Sequence, residues 1–171
     1  MITIRPARDG DLDGFLTLAA QVEHWFGPMV EEPGFHRAVE AHIRTGAALI
    51  AESTEPASSS SSCAPSGPVG GLLFGADPPA YQVHWLVTAA HCRGAGVGRR
   101  LMAEAMLRYV SGPGTVEVVT FGPDHPGAVE SGARAFYEKL GFAPGEPTAP
   151  GPEGGSRQIY RLDVPADIRQ V

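Results

Sequence analysis

Apolar residues along this chain repeat with two periods, and the switches between the periods mark its elements. Ile2 and Ile4 alternate with Thr3 and Arg5, which predicts a first strand. Leu12, Phe15, Leu16, Ala19 and Val22 then recur at helical spacing behind Asp9 and Asp11, either of which can cap, and this helix is expected to run up to Gly27-Pro28. A second helix is predicted to begin near Pro33, carry Phe35, Val39 and Ile43 inward, and stop at Gly46. Strands are predicted at 47–51, 69–75 and 81–87, the last two joined by a turn at Ala76-Asp77-Pro78-Pro79. Leu101, Met102, Ala105, Met106 and Val110 form a helical stripe that breaks at Ser111-Gly112-Pro113-Gly114 before a strand over 115–121. A helix ending at Gly141, a short strand at 142–144, a Gly/Pro loop over 145–156 and a final strand over 157–162 complete the order. The alternation predicts an α/β fold, a single domain over 1–171 built on one mixed central sheet with helices on both faces.

Composition narrows the function classes. A chain of 171 residues, 43% hydrophobic, can bury one substantial core, and nothing in its length calls for a second domain. No apolar run is long enough to span a bilayer and the first residues read as a strand, so no membrane partner is expected and the location expected is cytoplasmic. The net charge of −6 argues against non-specific nucleic-acid binding. Cys63 and Cys92 are too few and too differently placed for a disulfide framework, and the six histidines include no His-Glu-x-x-His spacing, so no metal is expected. Residues 53–68, with five consecutive serines at 58–62, hold too little apolar surface to order themselves and read as a flexible Ser/Pro-rich loop.

The most informative stretch joins the strand ending at Val87 to the helix carrying Leu101. Gly94, Gly96 and Gly98 occupy alternate positions, where an absent Cβ lets backbone approach a ligand, and the first amides of the following helix face the same point. The helix dipole favours an anion there, and Arg93, Arg99 and Arg100 add fixed positive charge. The ligand implied is a pyrophosphate. Gly-x-Gly-x-x-Gly fails, because its sixth position is Arg99 counted from Gly94 and Leu101 counted from Gly96. A P-loop fails as well, because Gly98 is followed by Arg99 and Arg100 rather than Lys and Ser or Thr.

What remains, Arg-x-x-Gly-x-Gly from Arg93 through Gly98, resembles the pyrophosphate loop of the GNAT-type N-acetyltransferases. A second segment, Phe136-Tyr137-Glu138-Lys139-Leu140-Gly141-Phe142, resembles the other diagnostic helix of that family, and the two motifs stand in the family's order across nearly the whole chain. The resemblance implies a sheet splayed between the strand ending near Val87 and the strand 115–121, with acetyl-coenzyme A as co-substrate in the gap. Residues 53–68 then stand where the family has a hairpin turn.

By that resemblance, Leu86, Val87 and Thr88 contact the cofactor through their backbone, Arg93, Gly94, Ala95, Gly96, Val97, Gly98 and Arg99 hold its phosphates, and Tyr137 protonates the departing sulfur. The family often carries an asparagine seven positions before that tyrosine; here Glu130 stands there, and Arg134 on the same helix is expected to reach phosphate or adenosine. For the general base, His84, Asp124 and His125 are candidates, beside water held by several polar groups. Glu23, Trp25, Phe26 and Met29 can line an acceptor pocket, with Glu23 or Glu31 drawing in an ammonium; packing against the sheet is the competing role for the aromatics. The activity implied is acetyl transfer to a small-molecule primary amine by direct attack in a ternary complex. A non-catalytic acyl-coenzyme A sensor and a peptide or protein N-acetyltransferase are the alternatives, and a homodimer is left open.

Overall fold

A computed structural model describes residues 1–54 and 67–166. Seven strands, β1 (Ile2–Pro6), β2 (Ala48–Ser53), β3 (Pro68–Asp77), β4 (Ala80–Thr88), β5 (Gly114–Phe121), β6 (Ala143–Thr148) and β7 (Arg157–Val164), form a mixed sheet in the order β1-β2-β3-β4-β5-β7-β6. The helices are α1 (Leu12–Ala20), α2 (Glu23–Phe26), α3 (Pro33–Arg44), α4 (Val97–Tyr109), α5 (Pro126–Glu130) and α6 (Ala133–Lys139). Contacts divide the chain into a first unit of residues 1–23, 28–74 and 85–109, and a second of residues 24–27, 75–84 and 110–171.

In the first unit β1 and β3 flank β2 antiparallel, with Ile4 opposite Ala51 and Ile50 opposite Gly71. Adjacent strand residues point to opposite faces, and Gly70-Gly71 exploits this. A Cβ at Gly71 would lie 2.8 Å from the Phe15 ring of α1, and one at Gly70 would lie 2.8 Å from Val97 of α4. Helices therefore pack on both faces of these strands, as the alternation predicted, and close approach on each side requires glycine. Phe15, Val39, Ile43, Ala48, Ile50 and Leu73 form the core on the α1 and α3 side, with Phe35 and Trp85 packed against it. Val97, Leu101, Met102 and Ala105 are the buried stripe of α4, each large apolar side chain contributing about 1.5–3 kcal/mol.

In the second unit β5 pairs with β7 along its whole length, from Gly114 opposite Val164 to Phe121 opposite Arg157, and β7 pairs with β6. The parallel register of β4 and β5 covers Ala80–Val83 against Thr115–Val118.

Four expectations need correction. The first helix does not run to Gly27: α1 ends at Ala20, and α2 is a separate turn over Glu23–Phe26. The predicted loop over 145–156 starts too early, because β6 continues to Thr148. Pro144 and Pro147 are tolerated there since β6 is an edge strand whose register shifts between them. Helix α5, in the segment between β5 and α6, was not anticipated. Finally, Ser53 and Pro68 belong to β2 and β3, and the remainder of the predicted flexible loop, residues 55–66 with Cys63, lies outside the described residues.

Candidate functional site

The glycine turn lies wholly in the first unit. β4 ends at Thr88, the chain makes a single 3₁₀ turn over Ala90–Cys92, and Cys92 is buried. Gly94 and Gly96 then adopt φ of +81° and +80°, in the left-handed region that a side chain disfavours. A Cβ added at either meets no heavy atom within 4 Å, so the space over this backbone is open to a ligand. Gly98 plays a different part from the one expected of three equivalent glycines: it lies inside α4 and takes no left-handed conformation. The first helical bond of α4 is from the Arg100 N–H to the Gly96 carbonyl at 3.1 Å, which leaves the Val97, Gly98 and Arg99 amides ahead of it without a helical acceptor. Buried Val97 and Leu101 hold the helix start in place. Arg99 and Arg100 are exposed, and their guanidinium groups make no hydrogen bond or ion pair among the described residues. Outward amides, a helix start and unspent cations fit the pyrophosphate of a coenzyme A ester.

Leu86, Val87 and Thr88, the expected backbone contacts, lie on the last part of β4 in this same unit, with Val87 buried. Glu23 and Met29 are also here, and Glu23 has a structural task as well. Its Oε2 accepts the backbone N–H of Met29 at 2.7 Å and of Val30 at 3.3 Å, so this carboxylate ties down the turn before α3 through one of its oxygens.

The second unit holds Tyr137, 6% exposed, with its ring edge-on to Phe142 at 5.5 Å. Burial pushes its phenol well above the ordinary value near 10, so it carries its proton at every physiological pH. The base candidates sit in unlike surroundings. His84 is exposed on β4, its ring lies over Gly75, and its Nε2 meets Gln82 Oε1 at 3.1 Å. Asp124 is exposed, and its carboxylate makes no bond among the described residues. His125 is buried and fully engaged: Nδ1 accepts the Gly127 N–H at 2.9 Å, which places the ring proton on Nε2, and Nε2 donates to Glu153 Oε1 at 3.1 Å. With both nitrogens used, it cannot take a substrate proton.

Around His125 the second unit builds a polar cluster that sequence reasoning missed. Glu153 Oε1 also accepts from Arg157 Nη2 at 2.6 Å. The Arg157 guanidinium lies 5.0 Å from the Phe26 ring centre and 5.1 Å from that of Phe121, which are themselves stacked 4.6 Å apart. Phe26 is therefore a packing residue, and so is Trp25, whose indole N–H donates to Glu130 Oε2 at 2.8 Å. That bond gives Glu130, at the position where an asparagine was expected, a structural role of its own. Arg134, expected at phosphate or adenosine, is corrected: its Nη1 donates to the Phe121 carbonyl at 3.0 Å and to Gln158 at 2.6 Å, and its guanidinium lies over Tyr160. Among the described residues no group of three His, Cys, Asp or Glu side chains is arranged to hold a metal ion, and no helix is long and apolar enough to cross a membrane.

The acetyltransferase (GNAT) domain profile matches residues 47–144, more than half of the chain, and the chain belongs to the GNAT acetyltransferase family. It is an acetyl-coenzyme A-dependent acetyltransferase. No curated protein sequence matches it. Among solved structures, a GNAT-family acetyltransferase from Desulfovibrio desulfuricans is 22% identical with a TM-score of 0.69, over 95% of this chain and 99% of that one. The Salmonella typhimurium acetyltransferase yncA, solved with acetyl-CoA, is 15% identical with a TM-score of 0.67, over 95% of this chain and 93% of that one. The ribosomal-protein-S18-alanine N-acetyltransferase of Escherichia coli is 15% identical with a TM-score of 0.64, over 100% of this chain and 99% of that one. At these identities the likeness is one of fold.

Proposed function

We propose that the chain, acting as one catalytic domain in the cytoplasm, transfers the acetyl group of acetyl-coenzyme A to the primary amine of a small molecule that attacks directly in a ternary complex. The observation that carries the cofactor half is the left-handed pair Gly94 and Gly96 ahead of α4, with Arg99 and Arg100 unspent beside it. In this reading the amides from Gly96 to Arg99 and the side chains of Arg93 and Arg99 hold the pyrophosphate. The backbone of Leu86, Val87 and Thr88, beyond the described register of β4 with β5, pairs with the pantetheine arm. Bound acetyl-coenzyme A supplies an activated thioester carbonyl. Tyr137 holds the proton that the sulfur takes when the carbon–sulfur bond breaks and the carbon–nitrogen bond forms. The ammonium loses its proton to water held by polar groups, among which we count the exposed carboxylate of Asp124. His125 has both ring nitrogens taken by Gly127 and Glu153, and exposed His84 meets Gln82 through Nε2.

A small acceptor is supported by the second unit. A Cβ at Gly27 would lie 3.3 Å from Pro152, and Arg157 bridges Glu153 and Phe26, so the 24–27 segment and the 151–157 segment are packed on each other, which favours a closed acceptor pocket over an open groove. A polypeptide N-terminus is the second reading, favoured by the name of the Escherichia coli structure of the same fold.

Coenzyme A release measured across a panel of small primary amines and of short peptides with free N-termini tests both. Turnover of small amines above peptides is expected; turnover of peptides alone would reverse the acceptor. With the best acceptor, Tyr137→Phe is expected to lower kcat about 100-fold at unchanged cofactor affinity, and an unaltered rate would assign the proton to another donor.

A further inference from the structure

We infer that Gln21 is a positioning residue for the cofactor turn, an inference that rests on reading that turn as the pyrophosphate site. As β4 leaves the sheet, the Ala89 N–H donates to the Val69 carbonyl of β3 at 2.9 Å. One residue later the chain has turned away from β3, and the exposed Ala90 N–H has a side-chain acceptor where water would otherwise serve. Gln21 Oε1 supplies it at 2.8 Å, across 69 residues of sequence. Gln21 is itself well held. It is the C-cap of α1, its own N–H donates to the Leu18 carbonyl at 3.2 Å, and the next residue, Val22, is 3% exposed.

From Ala90 the path to the glycines is short and tightly wound. The Cys92 N–H closes the 3₁₀ turn on the Ala89 carbonyl at 2.9 Å, and the Ala95 N–H bonds the Cys92 carbonyl at 3.2 Å. A rotation of the Ala90 peptide is therefore passed into Arg93 and Gly94, the start of the anion cradle. The residue type fits the place as well. A glutamine offers a neutral acceptor, whereas a glutamate would accept the same bond but set a carboxylate near a site built for phosphates.

Calorimetric titration with free coenzyme A, paired with amide hydrogen exchange at Ala90, tests this on the full chain. Gln21→Met, which keeps the length and loses the acceptor, is expected to weaken coenzyme A binding about three- to tenfold and to speed exchange at Ala90. Gln21→Glu is expected to keep Ala90 protected, with an affinity that approaches the wild type as salt is raised. Coenzyme A affinity within twofold of the wild type in Gln21→Met, or loss of Ala90 protection in Gln21→Glu, overturns the inference. A wild-type chain that does not bind coenzyme A overturns instead the reading of the turn itself.

Discussion

The arginines at the start of α4, in the first unit, and those on α6 and β7, in the second, are used in opposite ways, although the first unit also spends Arg5 on Asp11 and Glu52. In the first, Arg99 and Arg100 stand exposed at the start of α4 with no carboxylate on them, beside backbone amides that also lack acceptors. In the second, Arg134, Arg157 and Arg161 are all engaged: Arg134 on the Phe121 carbonyl and Gln158, Arg157 on Glu153 between two rings, Arg161 on Glu117 and Glu146. A cation whose hydrogen bonds are filled by its own chain has little left for a ligand anion, whereas one left unfilled over open amides is available to a phosphate. The difference supports reading the start of α4 as the place where a ligand anion is met.

The comparison breaks first at Arg157. If it is architectural, Arg157→Leu leaves Glu153 half-desolvated with only His125 to answer it, and unfolding in denaturant is expected to show a loss of about 2–3 kcal/mol. An unchanged midpoint would remove the cluster from the account of stability. Next comes Arg99→Gln with Arg100→Gln, expected to weaken acetyl-coenzyme A binding about tenfold at low salt, less at high salt, with the melting temperature unmoved. Loss of stability in place of affinity would make these arginines structural. The smallest effect is at Arg161, whose partner Glu146 is well exposed while Glu117 is half-buried. Glu146→Gln should leave the melting temperature within about 1 °C. Arg161 holds the Glu146 carboxyl down at about 2, so the little this pair contributes is present above the ordinary carboxylate value and fades as pH falls toward about 2. Tyr137 runs the other way: with its phenol raised, its contribution is complete below pH ~10 and declines as pH rises beyond that.

The glycine turn between β4 and α4 was legible because its signal is local: glycines at fixed offsets, arginines beside them, an apolar strand before and an amphipathic helix after. Most of the sheet was legible for the same reason, through its alternation. β6 was hidden because Pro144, Gly145 and Pro147 read as loop, and only the edge position and the shifted register make room for them. The break between α1 and α2 was hidden because apolar spacing continues through Val22. The roles of Glu23, Glu130, Glu153 and Gln21 had no local signal to find. Trp25 and Glu130 are 105 residues apart, and a carboxylate that accepts an indole N–H has the same letter as one that is solvated.

The central claim is that the left-handed glycines ahead of α4 hold the phosphates of acetyl-coenzyme A. Calorimetric titration of the wild-type chain and of Gly96→Val with acetyl-coenzyme A, with circular dichroism confirming the fold of both, tests it directly. A Cβ at Gly96 has empty space around it, so the substitution strains the φ of +80° and fills the cradle without striking the core. Micromolar binding by the wild type and a loss of about 100-fold or more in Gly96→Val is the predicted result. Equal affinity in the two folded proteins would contradict it.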